Sequence, residues 1–191
     1  MSSDASLGSI GMTNAVSALI EELQFMLGEG PCVDAYRLEV PVAEPDLTDP
    51  TRHWPGFTPP ALEAGVRAIF SFPLRAGAVC MGALDLYSDR IGALTDGQHA
   101  DALVVADVVA KAVLTMQAQA PPGTPSTEIT AGTDGRSVVH QAVGMVSAQI
   151  GVSVDEALLR LRAHAFANDY QLAELARDVI ERRVRFDSTE I

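Results

Sequence analysis

The chain has 191 residues, 48% of them apolar and 20% charged, and a formal net charge of −12. That length suits one domain or one small domain with an appendage, and that composition excludes global disorder. There is no run of 18 apolar residues, no signal-peptide pattern in MSSDASLGSI, and only two cysteines; a cytoplasmic protein with free thiols and no membrane span is expected.

The acidic balance argues against nucleic acid only while the chain is taken whole. Residues 1–135 hold six basic and seventeen acidic residues, a net of −11, whereas residues 136–186 hold seven arginines and six acidic residues, a net of +1. Every cation in that last stretch is arginine, whose planar fork suits phosphate and base stacking. For any one of them a solvated helix surface is the competing reading.

In chain order, Val16, Leu19, Ile20, Leu23 and Leu27 repeat at helical spacing over Thr13–Leu27, and Gly28-Glu29-Gly30-Pro31 breaks the helix. A short turn over Cys32–Tyr36 follows, then a brief strand at Val40–Ala43 and a proline-rich aromatic loop from Asp46 to Phe57. Pro59-Pro60 precedes a short helix over Ala61–Ala64. Two strands are predicted next, Val66–Leu74 ending at Pro73, and Val79–Tyr87 covered on both faces, joined as an antiparallel hairpin. Thr95 and Gln98 box the start of a long helix whose stripe is Ala102, Val105, Ala106, Val109, Ala110, Val113 and Met116. Prolines 121, 122 and 125 mark a linker.

Three more helices are predicted behind it. The first buries Val139, Ala142, Val143, Val146 and Ile150 and stops at Gly151; the second is boxed by Ser153 and Glu156 and buries Val154, Leu158, Leu161 and Ala165; the third buries Leu172, Leu175, Ala176, Val179, Ile180 and Val184. The fold class is therefore α+β, an antiparallel sheet with helices followed by an all-α three-helix domain. The boundaries fall at 11–119, a linker at 120–134, and 135–186.

The run His140-Gln-Ala-Val-Gly-Met-Val, with Gly151-Val-Ser, Glu156-Ala157, Leu161-Arg162, Ala165 and Leu172…Leu175-Ala176…Val179-Ile180, resembles an ANTAR domain. The resemblance covers about fifty residues. It implies a three-helix RNA-binding module of bacterial antitermination regulators, acting on paired hairpins in nascent mRNA. One departure is Val143, where the family usually carries a basic residue. The motifs Leu23-Gln-Phe-Met-Leu-Gly-Glu-Gly-Pro-Cys-Val-Asp-Ala, Arg52-His-Trp-Pro, Phe72-Pro-Leu-Arg and Gly82-Ala-Leu-Asp-Leu-Tyr resemble a GAF sensor domain over roughly Ser17–Leu114, shortened at its front. A sheet short of edge strands tends to pair with another chain, so a homodimer through helix 95–119 is expected.

The candidate RNA contacts are His140, Gln141, Ala142, Gly144, Arg160, Arg162 and His164. Arg160 and His164 are i, i+4 neighbours, small residues admit a close base, and His, Gln and Arg bond or stack on splayed bases. Arg182, Arg183 and Arg185 suit the negative end of the last helix, with phosphate contact as a second role. Cys32, Trp54 and Phe57 are the candidates for a ligand pocket in the front domain. Cys32 with His53, Cys32 with Cys80, and Asp46, Asp49 and His53 as a metal set are each outweighed by structural readings. No catalytic constellation, metal or cofactor is expected. The alternatives are a small-molecule or redox sensor acting through protein contacts, and a DNA-binding regulator.

Overall fold

The structure, a computed structural model, describes residues 11–49, 54–119, 134–168 and 170–187. The described chain divides into two compact units, one within residues 11–129 and one within 130–191. Of the predicted linker 120–134, residues 120–133 lie outside the described residues, as do Arg52 and His53, whereas Asp134 already begins a helix.

The front unit opens with α1, Ala15–Leu27, and α2, Pro31–Leu38. Asn14 caps α1 reciprocally: its Oδ1 accepts from Ser17 N–H at 2.9 Å while Ser17 Oγ accepts from Asn14 N–H at 3.0 Å. Strand β1 is Val42–Glu44, one residue beyond the proline that kept the prediction near Val40. Helix α3, Thr58–Glu63, starts three residues before its predicted place, because Pro59 and Pro60 fit its first turn, where no N–H is needed. Then come β2, Ala68–Ala76, β3, Val79–Ser88, and α4, Asp96–Gln119. The sheet is antiparallel in the order β1-β2-β3.

One strand expectation is corrected and a second is refined. Pro73 does not end β2 but pairs with Ala83 inside it. Strand β1 reaches only as far as Ser71 on β2, so beyond that residue the far side of β2 is an open edge that tolerates a missing donor. Strand β2 is the more deeply covered one; β3 is half-buried, with Met81, Leu84 and Leu86 against one core and Tyr87 against the other. Ala68, Phe70, Phe72 and Leu74 pack against Ala102, Ala106 and Ala110 of α4, whereas Ile69 joins Ile20, Leu47, Trp54, Phe57, Ala61 and Val66 on the opposite face. The period of two divides one strand between two cores. Strand β3 is the sheet's edge, and only Gly82 in it is buried.

Helix α4 is narrower in its buried stripe than predicted. Ala102, Ala106, Ala110 and Val113 are buried, but Val105 is not. On its other side Leu103, Val104 and Val108 are 43%, 63% and 58% exposed. Among the described residues no single helix is long and apolar enough to cross a membrane.

The second unit contains α5, Asp134–Ile150, α6, Val154–Ala167, and α7, Leu172–Ile180, each packed on the other two. Gly151 takes the left-handed conformation (φ 69°) that ends α5. Val139, Ala142, Val143 and Val146 of α5 meet Ala157, Leu161 and Ala165 of α6 and Leu172, Leu175, Ala176 and Val179 of α7 in a core that is wholly buried. The stripe of α6 is rotated from its prediction: Ala157 takes the inner place, and Val154 is exposed. Ser153 Oγ accepts from Glu156 N–H, but the Glu156 carboxylate turns to Arg160 instead of returning to the cap.

Candidate nucleic-acid interface

On α5 the inner row leaves an outer row at helical spacing: Ser137, Gln141, Gly144 and Ala148 are exposed. His140 lies at its margin, half-buried and already engaged within the protein. Gly144 has no packing reason to be glycine, since a Cβ built there meets nothing within 4 Å. A mid-helix glycine costs about 1 kcal/mol relative to alanine, so the position gives up stability for an open surface. Ala142 is corrected as a contact residue. It is wholly buried, as is Val143 beside it, because both fall on the inner row. The position that is usually basic in the family thus points into the core here.

The three α6 residues have separate fates. Arg160 Nε donates to Glu156 Oε1 at 2.8 Å, one turn back. Arg162 is half-buried and also engaged. His164 packs its ring on Phe186, with centroids 5.1 Å apart and planes inclined by 59°. Phe186 N–H in turn donates to Gln149 Oε1 at 3.2 Å. The tail behind α7 is thereby pinned to both α5 and α6.

The arginines of this tail differ in what holds them. Arg183 donates through Nε to Asp178 Oδ1 at 2.8 Å and also pairs with Glu181. Asp178 further accepts from the Tyr170 hydroxyl at 2.5 Å; the Tyr170 and Arg183 bonds hold its carboxyl below the usual range, and the Asp178 bond pushes the tyrosine up. Arg182 sits in the left-handed region at φ 60°, a strain of about 1 kcal/mol for a residue with a side chain. Among the described residues neither Arg182 nor Arg185 has a carboxylate partner. Both instead line a cleft of about 450 Å³ together with Met145, Ala148, Gln149, Phe186 and Asp187. The outer row of α5 runs from Gln141 through Gly144 to this cleft. Sequence reasoning assigned all three arginines to the helix end and overlooked Phe186; the signal was an aromatic residue closing the run Arg-Arg-Val-Arg-Phe.

The front unit's polar groups are turned inward. Gln24 Nε2 donates to Asp85 Oδ2 at 2.6 Å, Ser71 Oγ donates to Asp85 Oδ1 at 2.6 Å, and Gln24 Oε1 accepts from Cys32 N–H at 2.7 Å. Gly30 is required here. Its φ is 129°, and a Cβ would lie 2.7 Å from Gln24 Cγ. Asp85 keeps some solvent access but is walled by protein. That desolvation raises its carboxyl to about 6, against the lowering by the Ser71 and Gln24 bonds. Cys32 therefore borders a structural network. Trp54 and Phe57, proposed as pocket residues, are corrected to core: they are 6% and 0% exposed and meet edge to face. Trp54 Nε1 donates to Asp34 Oδ2 at 2.9 Å. Cys32 and Cys80 are free thiols, and burial raises that of Cys80. No cluster of metal-binding side chains occurs among the described residues.

Residues 128–180 match the family of the ANTAR domain. The match covers the three helices and stops short of Arg182, Arg185 and Phe186. No curated protein matches the chain. Among solved structures, the chain is similar to the type II free methionine-R-sulfoxide reductase of Thermoplasma acidophilum, 25% identical over 47% of this chain and 59% of that one, with a TM-score of 0.38. This chain spans less than two thirds of that reductase. A domain of a two-component sensor histidine kinase protein from Sinorhizobium meliloti is 18% identical over 56% of this chain and 97% of that domain, with a TM-score of 0.39. Likenesses this distant carry no argument about what the chain does.

Proposed function

We propose that this chain is a bacterial antitermination regulator whose C-terminal unit binds hairpins in nascent mRNA. The observation that carries the reading is Gly144. It lies inside the stretch matching the ANTAR domain, on the outer face of α5, at a stability cost the packing does not explain. An open backbone beside Gln141, with arginines at the end of the same face, suits a surface that meets unstacked loop bases. The action is binding and stabilising an RNA fold, with no covalent step.

The front unit, read as a GAF-like domain, serves as the dimer scaffold. Leu103, Val104 and Val108 form an exposed apolar face on α4, and the sheet beside it ends in β3, beyond which no strand pairs among the described residues. A second copy of the same helix matches that face in length and character. Two C-terminal units then engage two hairpins, and avidity raises affinity without any new contact.

A gel shift tests the reading with a two-hairpin RNA, the same RNA with scrambled loops, and duplex DNA. Preference for the first is expected, weakening as salt rises; equal binding to all three refutes specific RNA recognition. Sedimentation tests the scaffold: the wild type is expected as a dimer and Val104→Glu/Val108→Glu as a monomer. A monomeric wild type removes the dimer from the reading.

A further inference from the structure

We infer that the cleft behind α7 is a nucleotide pocket, which takes one unpaired nucleotide from the RNA bound by this unit. The inference rests on the RNA-binding reading above, while Arg182, Arg185, Phe186 and Asp187 of the cleft lie beyond the family match, which ends at Ile180.

The cleft is two-sided in its chemistry. Arg182 and Arg185 bring two guanidinium groups that no carboxylate neutralises among the described residues, while the neighbouring Arg183 is held by Asp178 and Glu181. The helix end already has Arg177 in its last turn to meet its dipole, so the dipole does not call for Arg182 and Arg185. Met145, Ala148 and Phe186 supply an apolar wall. Gln149 uses its Oε1 on Phe186 N–H, which leaves its amide N–H groups to donate. Asp187 adds an acceptor at the rim; it repels phosphate but accepts from base N–H groups. Paired cations, an apolar wall and both kinds of hydrogen-bonding group together fit a phosphate and an exposed base. A base stacked inside a duplex cannot enter, so the pocket selects looped or bulged nucleotides. The pocket is held open by long-range contacts, since His164 and Gln149 fix Phe186 from two different helices.

The test uses the full chain and fluorescence anisotropy with the two-hairpin RNA. The variant Arg182→Gly/Arg185→Ala removes both cations, and glycine accepts the left-handed backbone at 182. Its affinity is expected to fall about 10- to 100-fold, the range of one lost stacked and charged nucleotide contact. The slope of log affinity against log salt is expected to become shallower by roughly 0.7–0.9, the release from the one phosphate both arginines hold. Replacing loop nucleotides one at a time by abasic sites should reveal one position that weakens the wild type and leaves the variant unchanged. Circular dichroism checks the fold. Should helicity drop, Ala148→Phe fills the cleft from an exposed helix position, keeps both arginines, and should show the same loss. If the wild type prefers the hairpins and both variants bind as tightly with an unchanged salt slope, the pocket is excluded and the RNA reading stands. If no abasic position couples to the variant, the base-binding part is overturned. If the wild type itself does not distinguish hairpin RNA from duplex DNA, the RNA reading fails and takes the pocket with it.

Discussion

The two units handle polar groups in opposite ways. Among the described residues, the buried polar side chains, Gln24, Glu44 and Ser71, all belong to the front unit. There Gln24 and Ser71 join α1, α2, β2 and β3 around Asp85, while Glu44 holds Asp46 N–H at 3.1 Å and Glu29 holds Gly56 and Phe57 at 2.6 and 2.8 Å. Among the described residues the C-terminal unit buries only apolar side chains, and its polar ones are half-buried or exposed. A buried polar network fixes one arrangement and is costly to disturb. An apolar core with a polar exterior leaves side chains available for a partner. The contrast separates a unit organised to hold shape, or to respond when its network is disturbed, from one organised to present a surface.

The comparison breaks most severely at Gln24. Gln24→Leu removes a donor from Asp85 and an acceptor from Cys32 N–H, and is expected to destabilise the front unit by about 2–3 kcal/mol. Trp54, the only tryptophan, lies in that unit's core and reports its unfolding by fluorescence. A comparable polar-to-apolar change at the exposed Gln141 should leave C-terminal helicity unchanged.

Next in size is the pH response of Asp85. Its folded value is raised from 3.8 to about 6, so the folded state holds the proton more tightly than the unfolded one. The cost of the buried charge is fully present above pH ~6 and disappears as pH falls towards ~4. Against Asp85→Asn, which does not titrate, the wild type should gain about 1 kcal/mol between pH 7 and pH 4.5, after discount for its partial exposure. Denaturant titrations followed by Trp54 fluorescence measure this. A constant difference across the range contradicts a raised carboxyl.

The smallest effect sharpens the comparison from the other side. Gly144→Ala should stabilise the C-terminal unit by about 0.5–1 kcal/mol, read by thermal circular dichroism, and yet weaken hairpin binding. Greater stability with undiminished binding would remove the functional account of this glycine.

Much of the helical structure was legible in the sequence. The box of Asn14 with Ser17 was missed, but the boundaries near it, the Thr95–Gln98 box and the Gly151 stop follow from local chemistry that acts within one turn. The inner row of α5 was legible because Val139, Ala142, Val143 and Val146 leave only one way to face a core. The same periodicity contained the reason Ala142 could not serve as a contact, since a residue on the buried row is unavailable to a ligand. On α6, Ala157 and Val154 both suited the inner face by hydrophobicity, and only the packing against α5 and α7 chose between them.

By itself the sequence determined the element types, the charge division between the two halves and the presence of a one-faced three-helix module. These depend on residues a few positions apart. Tertiary structure alone decided that β2 is the central, more deeply buried strand and β3 a half-buried edge, because strand order depends on pairing across the chain. It also decided that Arg183 is held while Arg182 and Arg185 line a cleft. Three arginines within four residues read alike in sequence; they are told apart by Asp178 on one side and by Gln149 and His164, which bring Phe186 back across the helices, on the other.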